Sequence, residues 1–405
     1  MTRFEYKEIK DVAEVTKLAG FEFTKYIKYI DDGEIIALRA LNLRRGELDL
    51  SDIKRIDKKV SDSLLRSKLY KNDIILTYTG NGYGDCAIIE EDDKYHLAPN
   101  ICKIMPNTEK IDPYFLYSYI RTAEFYQTMS NHMTGSGQPT IPMKTIRVLK
   151  VPVPSMKEQK IIASFMKSIN HTIRNNEIIN KNLEQQAQAL YCSWFVNYEP
   201  FDGTKPTDWI DGTIDDLGTE IICGKTPSTK KTEYYGGNTP FITIPDMHGC
   251  VYNVSTERYL SVAGVASQPK KTLPPNTVCV SCIGTAGLVT LVSEESQSNQ
   301  QINSIVPKEG ISAYYIYLLM QTLSETINKL GQSGSTIVNL NKTQFGKIQV
   351  TIPSKQALRA FDFLCKPLFE MILSNQQEII KLAKLRDALL PKLMSGELDI
   401  SELDL

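Results

Sequence analysis

Apolar residues recur at helical spacing in two stretches of the chain, near its middle and near its end. Residues 135–195 overlay residues 334–394 without a gap, at a constant offset of 199. The overlay pairs apolar with apolar residues mostly three, four or seven positions apart, as on one face of a helix. The paired residues are Ile162, Phe165, Ile169, Ile173, Leu183, Leu190 and Trp194, with Phe361, Leu364, Leu368, Ile372, Leu382, Leu389 and Leu393. The chain therefore contains an internal repeat, and each copy ends in a long helix.

The two predicted helices cover residues 155–195 and 354–395. Ser155 and Glu158 form the capping-box pattern at the start of the first helix. Ser354 recurs in the second helix, but Ala357 replaces the glutamate, so we expect a weaker cap there. Forty helical residues would span ~60 Å at ~1.5 Å each, more than the width of a small domain. We therefore expect the helices to pair antiparallel with each other, although each helix capping only its own domain is the alternative.

A segment of mixed secondary structure precedes each helix. In residues 1–154 the pattern predicts strands at 35–38, 73–77 and 86–89 and a helix over 112–129. In residues 209–353 it predicts strands at 240–244, 277–283 and 287–292 and a helix over 312–330. Residues 196–208 have the Pro, Gly and Asp content of a linker, and residues 396–405 form a tail. The expected fold class is α+β: two mixed α/β domains separated by two long antiparallel coiled-coil helices, in a pseudo-twofold internal repeat.

Composition narrows the class of protein further. No run of about 18 apolar residues, as a membrane span needs, occurs in the 405 residues, and we expect a cytoplasmic protein without membrane association. We expect the eight cysteines to be reduced. Cys279 and Cys282 lie in a predicted strand, which would point them to opposite faces, so structural thiols are favoured over a metal site.

Catalytic signatures are weak. Gly218 to Thr226 imitates a phosphate-binding P-loop, but five residues instead of four precede Gly224-Lys225-Thr226, and Pro227 removes a backbone donor. The Asn-Pro-Pro-aromatic tetrapeptide of many DNA methyltransferases does not occur, and the four histidines are far apart in sequence. We expect no catalytic activity, metal or cofactor in this chain.

Polar and basic loops are the better candidates for binding, because lysine and hydroxyl groups suit phosphate and amide groups suit base edges. The net charge of −1 means that DNA contact would be confined to local patches or shared with a partner. The candidate DNA-binding residues are Arg44, Arg45, Asn81, Tyr83, Ser136, Gln138, Lys225, Thr226, Ser228, Lys230, Lys231, Gln297, Asn299, Gln300, Gln301 and Ser335. The candidate partner-binding residues are Ile162, Phe165, Ile169, Ile173, Leu183, Leu190, Leu364, Leu368, Leu382 and Leu389.

Three segments resemble one known family. Val-Pro-Val-Pro-Ser at 151–155, followed by Glu158-Gln159 and a long helix, resembles the central repeat of the specificity subunits of type I restriction–modification systems. Gly-Lys-Thr-Pro-Ser at 224–228, with Tyr-Tyr-Gly-Gly-Asn-Thr-Pro-Phe-Ile at 234–242, is similar to the same family. The segment at 385–398 is similar to its distal repeat.

The resemblance implies a non-catalytic subunit whose two target-recognition domains, residues 1–154 and 209–353, each read half of a split site in double-stranded DNA. It implies that the helices fix the distance between the halves. It also implies two modification methyltransferase subunits and restriction subunits as partners, which carry S-adenosylmethionine and ATP.

Two other classes of protein stay open at the level of sequence. A scaffold whose domains bind protein would use the same helices as a spacer, and duplex DNA would not compete for it. A nucleotide-dependent enzyme would require hydrolysis that Lys225→Ala abolishes.

Overall fold

A computed structural model describes residues 4–44, 46–80, 82–134, 138–332 and 338–400. Arg45, Asn81, Ser136 and Ser335, four of the candidate DNA-binding residues, lie outside the described residues. The chain divides into two compact units. Unit 1 consists of Met1–His171 with Ala383–Leu405, and unit 2 consists of Thr172–Leu382.

Unit 1 combines short strands with helices. Its strands are β1 Glu5–Glu8, β2 Ala13–Lys17, β3 Ile35–Leu38, β4 Leu43–Arg44, β5 Glu47–Leu48, β6 Lys54–Ile56, β7 Ile74–Thr77, β8 Cys86–Ile88, β9 Tyr95–Leu97, β10 Ile101–Pro106 and β11 Lys150–Val153. Its helices are α1 Ile9–Val12, α2 Gly20–Tyr26, α3 Lys58–Ser63, α4 Pro113–Ile120, α5 Ala123–Ser130 and α6 Met143–Val148, and α7 Met156–Tyr191 begins in it. One sheet has the order β2-β10-β7-β8, a second β6-β3-β9, and β1 pairs with β11.

Unit 2 repeats this plan. Its strands are β12 Ile210–Thr213, β13 Gly218–Cys223, β14 Tyr235–Ile242, β15 Tyr252–Asn253, β16 Arg258–Leu260, β17 Val278–Ser281, β18 Val289–Val292, β19 Gln297–Ser298, β20 Ile302–Pro307 and β21 Gln349–Ile352. Its helices are α8 Ile214–Leu217, α9 Val262–Ala266, α10 Ala313–Thr322, α11 Ser324–Gly331 and α12 Lys342–Gly346, and α13 Lys355–Ser395 begins in it. The sheets are ordered β13-β20-β17-β18-β15 and β16-β14-β19, and β12 pairs with β21.

The two units share strand pairing as well as strand order. In the smaller sheet of unit 1, β3 pairs antiparallel with β6 and parallel with β9. In unit 2, β14 pairs antiparallel with β16 and parallel with β19. The internal repeat therefore extends through both mixed segments, although they share little sequence.

Both long helices contribute to each unit and run antiparallel there. In unit 2, Asn176 donates to Glu378 at 2.9 Å, and Asn375 donates to Asn180 at 2.9 Å. In unit 1, Arg386 donates to Asn170 at 3.1 Å. Within unit 2, the higher residue number on α7 is bonded to the lower residue number on α13, as is expected for antiparallel helices. The predicted fold class is confirmed, including the long paired helices.

The first helix has the predicted capping box. The Ser155 backbone N–H and hydroxyl both donate to Glu158 Oε2, at 3.0 and 2.7 Å, and the Glu158 N–H donates back to Ser155 Oγ at 3.3 Å. At the second helix, only the Ala357 N–H bonds to Ser354 Oγ, at 3.4 Å. The expected difference between the two caps is confirmed.

Cys279 and Cys282 face different cores of unit 2, as strand alternation predicted. Cys279 packs with Ile242 and Val292, whereas Cys282 packs with Val280 and Leu340. Both are free thiols, and burial raises the pKa of each thiol to about 12. They are therefore protonated packing residues at neutral pH.

Candidate nucleic-acid interface

Backbone hydrogen bonds join separate loops of unit 2 into one polar edge. The Lys225 N–H donates to the Ser298 carbonyl at 2.9 Å, and the Cys282 N–H donates to the Gln301 carbonyl at 2.8 Å. The Gly284 N–H donates to the Val338 carbonyl at 3.0 Å, and the Leu340 N–H donates to the Cys282 carbonyl at 3.0 Å. We call residues 224–231, 299–301, 282–284 and 338–340 the polar edge of unit 2.

Gly224 allows the first of these loops to lie on the next. A Cβ at this position would overlap the carbonyl oxygens of Ser298 and Asn299. Beyond it, the Thr226 hydroxyl donates to Gln300 Oε1 at 2.7 Å, and the Gln300 side chain is exposed. The sequence placed these two residues in different loops, and the structure brings them together.

Exposed cations flank this pair. Lys225, Lys230 and Lys231 are exposed, as is Ser228. Lys231 Nζ donates to the Tyr234 hydroxyl at 3.0 Å and lies 5.0 Å from the centre of that ring. The hydrogen bond to Tyr234 raises the pKa of Lys231, so this ammonium group stays charged at neutral pH. Lysines and a hydroxyl group on an exposed loop can bind phosphate oxygens.

Gln297 and Asn299 require a correction, because their side chains are committed within the fold. Gln297 is 0% exposed; its amide accepts from Gln268 at 2.8 Å and donates to Thr272 Oγ1 at 3.1 Å. Asn299 is 7% exposed, and both ends of its amide bond to Gln301. The burial and internal hydrogen bonds of these two amides argue against contact with a base edge and favour a role within the fold.

The side chain of Gln301 is hydrogen-bonded within the fold and is also partly exposed. Its Nε2 donates to the Ile283 carbonyl at 3.3 Å, and its Oε1 accepts from Asn299 at 3.0 Å. The residue therefore holds two loops of the polar edge together. Its partly exposed side chain contributes chiefly to the shape of the edge.

Unit 1 builds an equivalent polar edge with the same hydrogen bonds. The Tyr78 N–H donates to the Asn100 carbonyl at 3.1 Å, the Gly80 N–H donates to the Pro139 carbonyl at 2.9 Å, and the Ile141 N–H donates to the Tyr78 carbonyl at 2.9 Å. These are the counterparts of the bonds at Cys282, Gly284 and Leu340. We call residues 78–80, 100 and 138–141 the polar edge of unit 1.

The flanks of this edge carry aromatic and basic groups. Tyr83 stacks on the exposed Tyr126 with ring centres 5.0 Å apart, and a Cβ at Gly84 would crowd the Tyr126 ring. Arg44 is exposed, with Nη1 3.6 Å from Asp49, and Gln138 is also exposed. Sequence reasoning missed Lys17, whose ammonium group lies 5.1 Å from the centre of the Tyr78 ring. A single lysine at the end of a strand carries no distinctive pattern.

The helix positions predicted to bind partners divide by exposure. Ile162, Ile169 and Leu183 are buried within the chain itself, which favours a role in stabilising the fold over contact with a partner. The half-buried positions are Phe165, Ile173, Leu190, Leu368, Leu382 and Leu389. Leu364 is 41% exposed. The structure adds exposed apolar residues that the repeat did not single out, namely Ile178, Phe363 and Met371.

A cavity of about 960 Å³ in unit 2 lies between the helices and the sheet domain. Its lining includes the carboxylates Glu177, Glu184, Asp246 and Glu257, against the basic residues Lys181 and His248. Tyr317 and Gln321 donate to Glu184 Oε1 at 3.0 and 2.9 Å. The surplus of carboxylates makes this cavity unsuitable for DNA phosphate, so we exclude it from the interface.

No group of three His, Cys, Asp or Glu residues with metal-binding geometry occurs within the part of the chain that the structure describes. In the same residues, no helix combines the length and hydrophobicity of a membrane span.

Comparison with known proteins gives a consistent result. Residues 1–185 and 206–384 match the family described as type I restriction modification DNA specificity domain. The chain is 30% identical to the type I restriction enzyme HindI specificity subunit of Haemophilus influenzae, over 93% of this chain and 96% of that protein. It is 25% identical to the type I restriction enzyme MjaIX specificity subunit of Methanocaldococcus jannaschii, over 99% and 94%.

A solved structure shares the fold. The S subunit of a type I restriction–modification system from M. genitalium superposes with a TM-score of 0.67, at 13% identity, over 97% of this chain and 96% of that chain. At that identity the likeness concerns the fold alone.

Proposed function

Because the chain belongs to the family of type I restriction–modification DNA specificity subunits, we propose that each of its units reads one half of a two-part DNA site. The observation that carries this proposal is the polar edge, which the same backbone bonds build in both units. The side chains on the two edges differ, which suits two unlike half-sites. The two units therefore share one backbone arrangement but carry different side chains on it, so each unit can read a different DNA sequence in the same way.

The polar edges suit DNA better than protein. In unit 2 the exposed Lys225, Lys230 and Lys231 supply phosphate contacts, and the Thr226–Gln300 pair lies beside them. Phosphate contacts position a protein on the duplex, and polar side chains in a groove read the bases. The near-neutral net charge of −1 fits DNA contact that is confined to such local basic patches and shared with partner subunits.

The exposed apolar residues of the helices support a role for partners. Ile178, Phe363 and Met371 lie on the helix segments of unit 2 and are 51%, 81% and 51% exposed. Large apolar side chains that are exposed in one chain are candidates for burial against another protein. We assign these residues to contacts with modification methyltransferase subunits, two per chain, to which restriction subunits add. S-adenosylmethionine and ATP belong to those partners, and this chain carries out no catalysis.

The test is methylation of DNA by purified components. We expect the chain alone, with S-adenosylmethionine, to transfer no methyl group and to cleave no DNA. In complex with a modification methyltransferase subunit, it should direct methylation to one two-part motif, read by sequencing of modified bases. Methyl transfer by the single chain would contradict the non-catalytic role. Methylation without a two-part motif would contradict the assignment of one half-site to each unit and favour a protein-binding scaffold.

A further inference from the structure

We infer that Thr140 and Asn339 are specificity-determining residues, each contacting a base edge in its own half-site. This inference rests on the proposed function. Neither residue belongs to the basic or amide-rich loops that draw attention in the sequence. They are assigned here because the two polar edges place them at the same position.

The two positions coincide in sequence offset and in backbone contacts. Thr140 forms an antiparallel bridge with Thr79, and Asn339 forms one with Ile283. The residues before them, Pro139 and Val338, accept hydrogen bonds from Gly80 and Gly284. The residues after them, Ile141 and Leu340, donate to the carbonyls of Tyr78 and Cys282. Each residue is thus held by backbone bonds on both sides.

This framing matters because base readout needs a side chain at a fixed place. A residue on a mobile loop loses both side-chain and backbone freedom when it binds. A residue whose backbone is already fixed loses only side-chain freedom. Ile141 and Leu340 are also buried at 0% and 2% exposure, which anchors the following residue in the core. Only the side chain at the intervening position is left to vary.

The Asn339 side chain is placed for binding rather than for folding. It is exposed, and it has no hydrogen-bond partner among the described residues. The nearby helix α12 does not need it as a cap, because Asn341 Oδ1 accepts from the Gln344 N–H at 2.9 Å. A carboxamide offers one donor and one acceptor side by side, which matches N7 and the N6 amino group of adenine in the major groove.

Thr140 presents different chemistry from the same frame. Its hydroxyl lies 3.3 Å from Thr79 Oγ1 and 3.2 Å from the Gln138 carbonyl, and the side chain is half-buried. A threonine offers a methyl group for contact with the thymine methyl and a hydroxyl that can turn towards a base. An amide in one unit and a hydroxyl in the other therefore give the two half-sites different preferences at the equivalent base pair.

The experiment uses the full chain in complex with its methyltransferase, with modified bases mapped by sequencing. Asn339→Ala should lower the preference for one base pair of one half-site about tenfold to a hundredfold, leaving the other half-site unchanged. Asn339→Asp should shift the preference at that pair from adenine towards cytosine, because a carboxylate accepts from the cytosine amino group. Thr140→Val should weaken the preference at one pair of the other half-site only.

Gln349→Ala is the matched control. Gln349 is an exposed amide of unit 2 that lies on β21, outside the polar edge, where it donates to the Lys347 carbonyl at 3.3 Å. We expect its motif to match that of the unsubstituted complex. An unchanged motif in Asn339→Ala and Asn339→Asp would overturn the inference while leaving the proposed function intact. An equal loss of methylation at all base pairs, with a lower thermal midpoint, would overturn it too, since it would indicate a structural role.

Discussion

The side chains of Gln297 and Gln300, three residues apart, occupy opposite environments. Gln297 is enclosed by hydrogen bonds with Gln268 and Thr272, whereas Gln300 lies at the surface beside Thr226. A buried polar group that loses its partner retains its desolvation penalty, about 1–3 kcal/mol. The two glutamines therefore serve different purposes, stability at one and contact at the other.

Replacing each glutamine with alanine should separate the role in stability from the role in contact. We expect Gln297→Ala to lower the free energy of unfolding of unit 2 by about 1–3 kcal/mol, because it leaves the Gln268 amide short of a partner. Gln300→Ala should change that free energy by less than about 0.5 kcal/mol, as exposed substitutions generally do. Chemical denaturation followed by circular dichroism measures both. Equal stability of the two variants would contradict the assignment of Gln297 to the core.

At the scale of single residues, features that depend on neighbouring residues in the sequence were predictable, whereas features that depend on distant residues were not. The Ser155–Glu158 capping box involves residues three apart, so its pattern is visible in the sequence. Burial of Gln297 depends on β19 pairing in parallel with β14, which brings it opposite Phe241. An amide-rich run gives no indication of which of its members faces inward, so Gln297 and Asn299 looked like DNA contacts.

The ends of the long helices connect distant parts of the chain. Leu393 and Met394, in the last turn of α13, are buried in the core of unit 1. The same core contains Ile162 and Met166 of α7 and Phe115 of α4. The final turn of α13 is therefore a structural part of the first domain.

Truncating one of these side chains should weaken unit 1 selectively. Met394 is 1% exposed, and Met394→Ala should cost about 2–5 kcal/mol through lost contacts and a cavity. Leu385→Ala is the matched control, since Leu385 lies on the same helix and is 43% exposed. Hydrogen exchange should accelerate in β7 and β10 of unit 1 while β17 in unit 2 keeps its protection. Equal acceleration in both units would show that the helix end stabilises the molecule as a whole.

The elements themselves followed the hydrophobic pattern closely, except that the helix predicted in each mixed segment is divided in two. The helix predicted over 312–330 is divided into α10, which ends at Thr322, and α11, which begins at Ser324. A single helix was predicted over 112–129, but α4 ends at Ile120 and α5 begins at Ala123. Thr122 caps the second helix through a bond from the Phe125 N–H to its Oγ1, at 3.2 Å. Apolar periodicity continues across the break, so the pattern alone could not reveal it.

At the scale of the molecule, the two units share one arrangement of strands and helices but carry different side chains. Each unit should therefore be replaceable by the corresponding domain of a related protein. We expect replacement of residues 1–150 with the corresponding domain of another family member to change one half of the methylated motif only. The reason is that each polar edge is closed by bonds within its own unit. Mapping of modified bases in the chimeric complex checks this, and a change in both halves would show that the units do not read independently.

The repeat of the helices was predictable because they share apolar spacing, whereas the repeat of the domains emerged only from the strand order. The sheet β2-β10-β7-β8 corresponds to the first four strands of the sheet β13-β20-β17-β18-β15, although the two share little sequence. Strand order arises from contacts between distant residues, and those contacts leave little trace in a single sequence. For the same reason, the sequence alone does not indicate that Thr140 and Asn339 occupy equivalent positions in their two units. The backbone hydrogen bonds of the two polar edges reveal it.

The division of unit 1 between two separate stretches of chain affects how the protein is made. Leu393 and Met394 complete the core around Phe115, but the ribosome synthesises them only after all of unit 2. At about 5–20 residues per second, the nascent first domain waits on the order of ten to fifty seconds with its apolar surface unfinished. Unit 2 is a continuous stretch of chain, and its own core, which joins Leu183 with Phe361 and Phe369, is complete before Leu393 and Met394 are made. During translation, therefore, the domain made first is the one whose core is completed last.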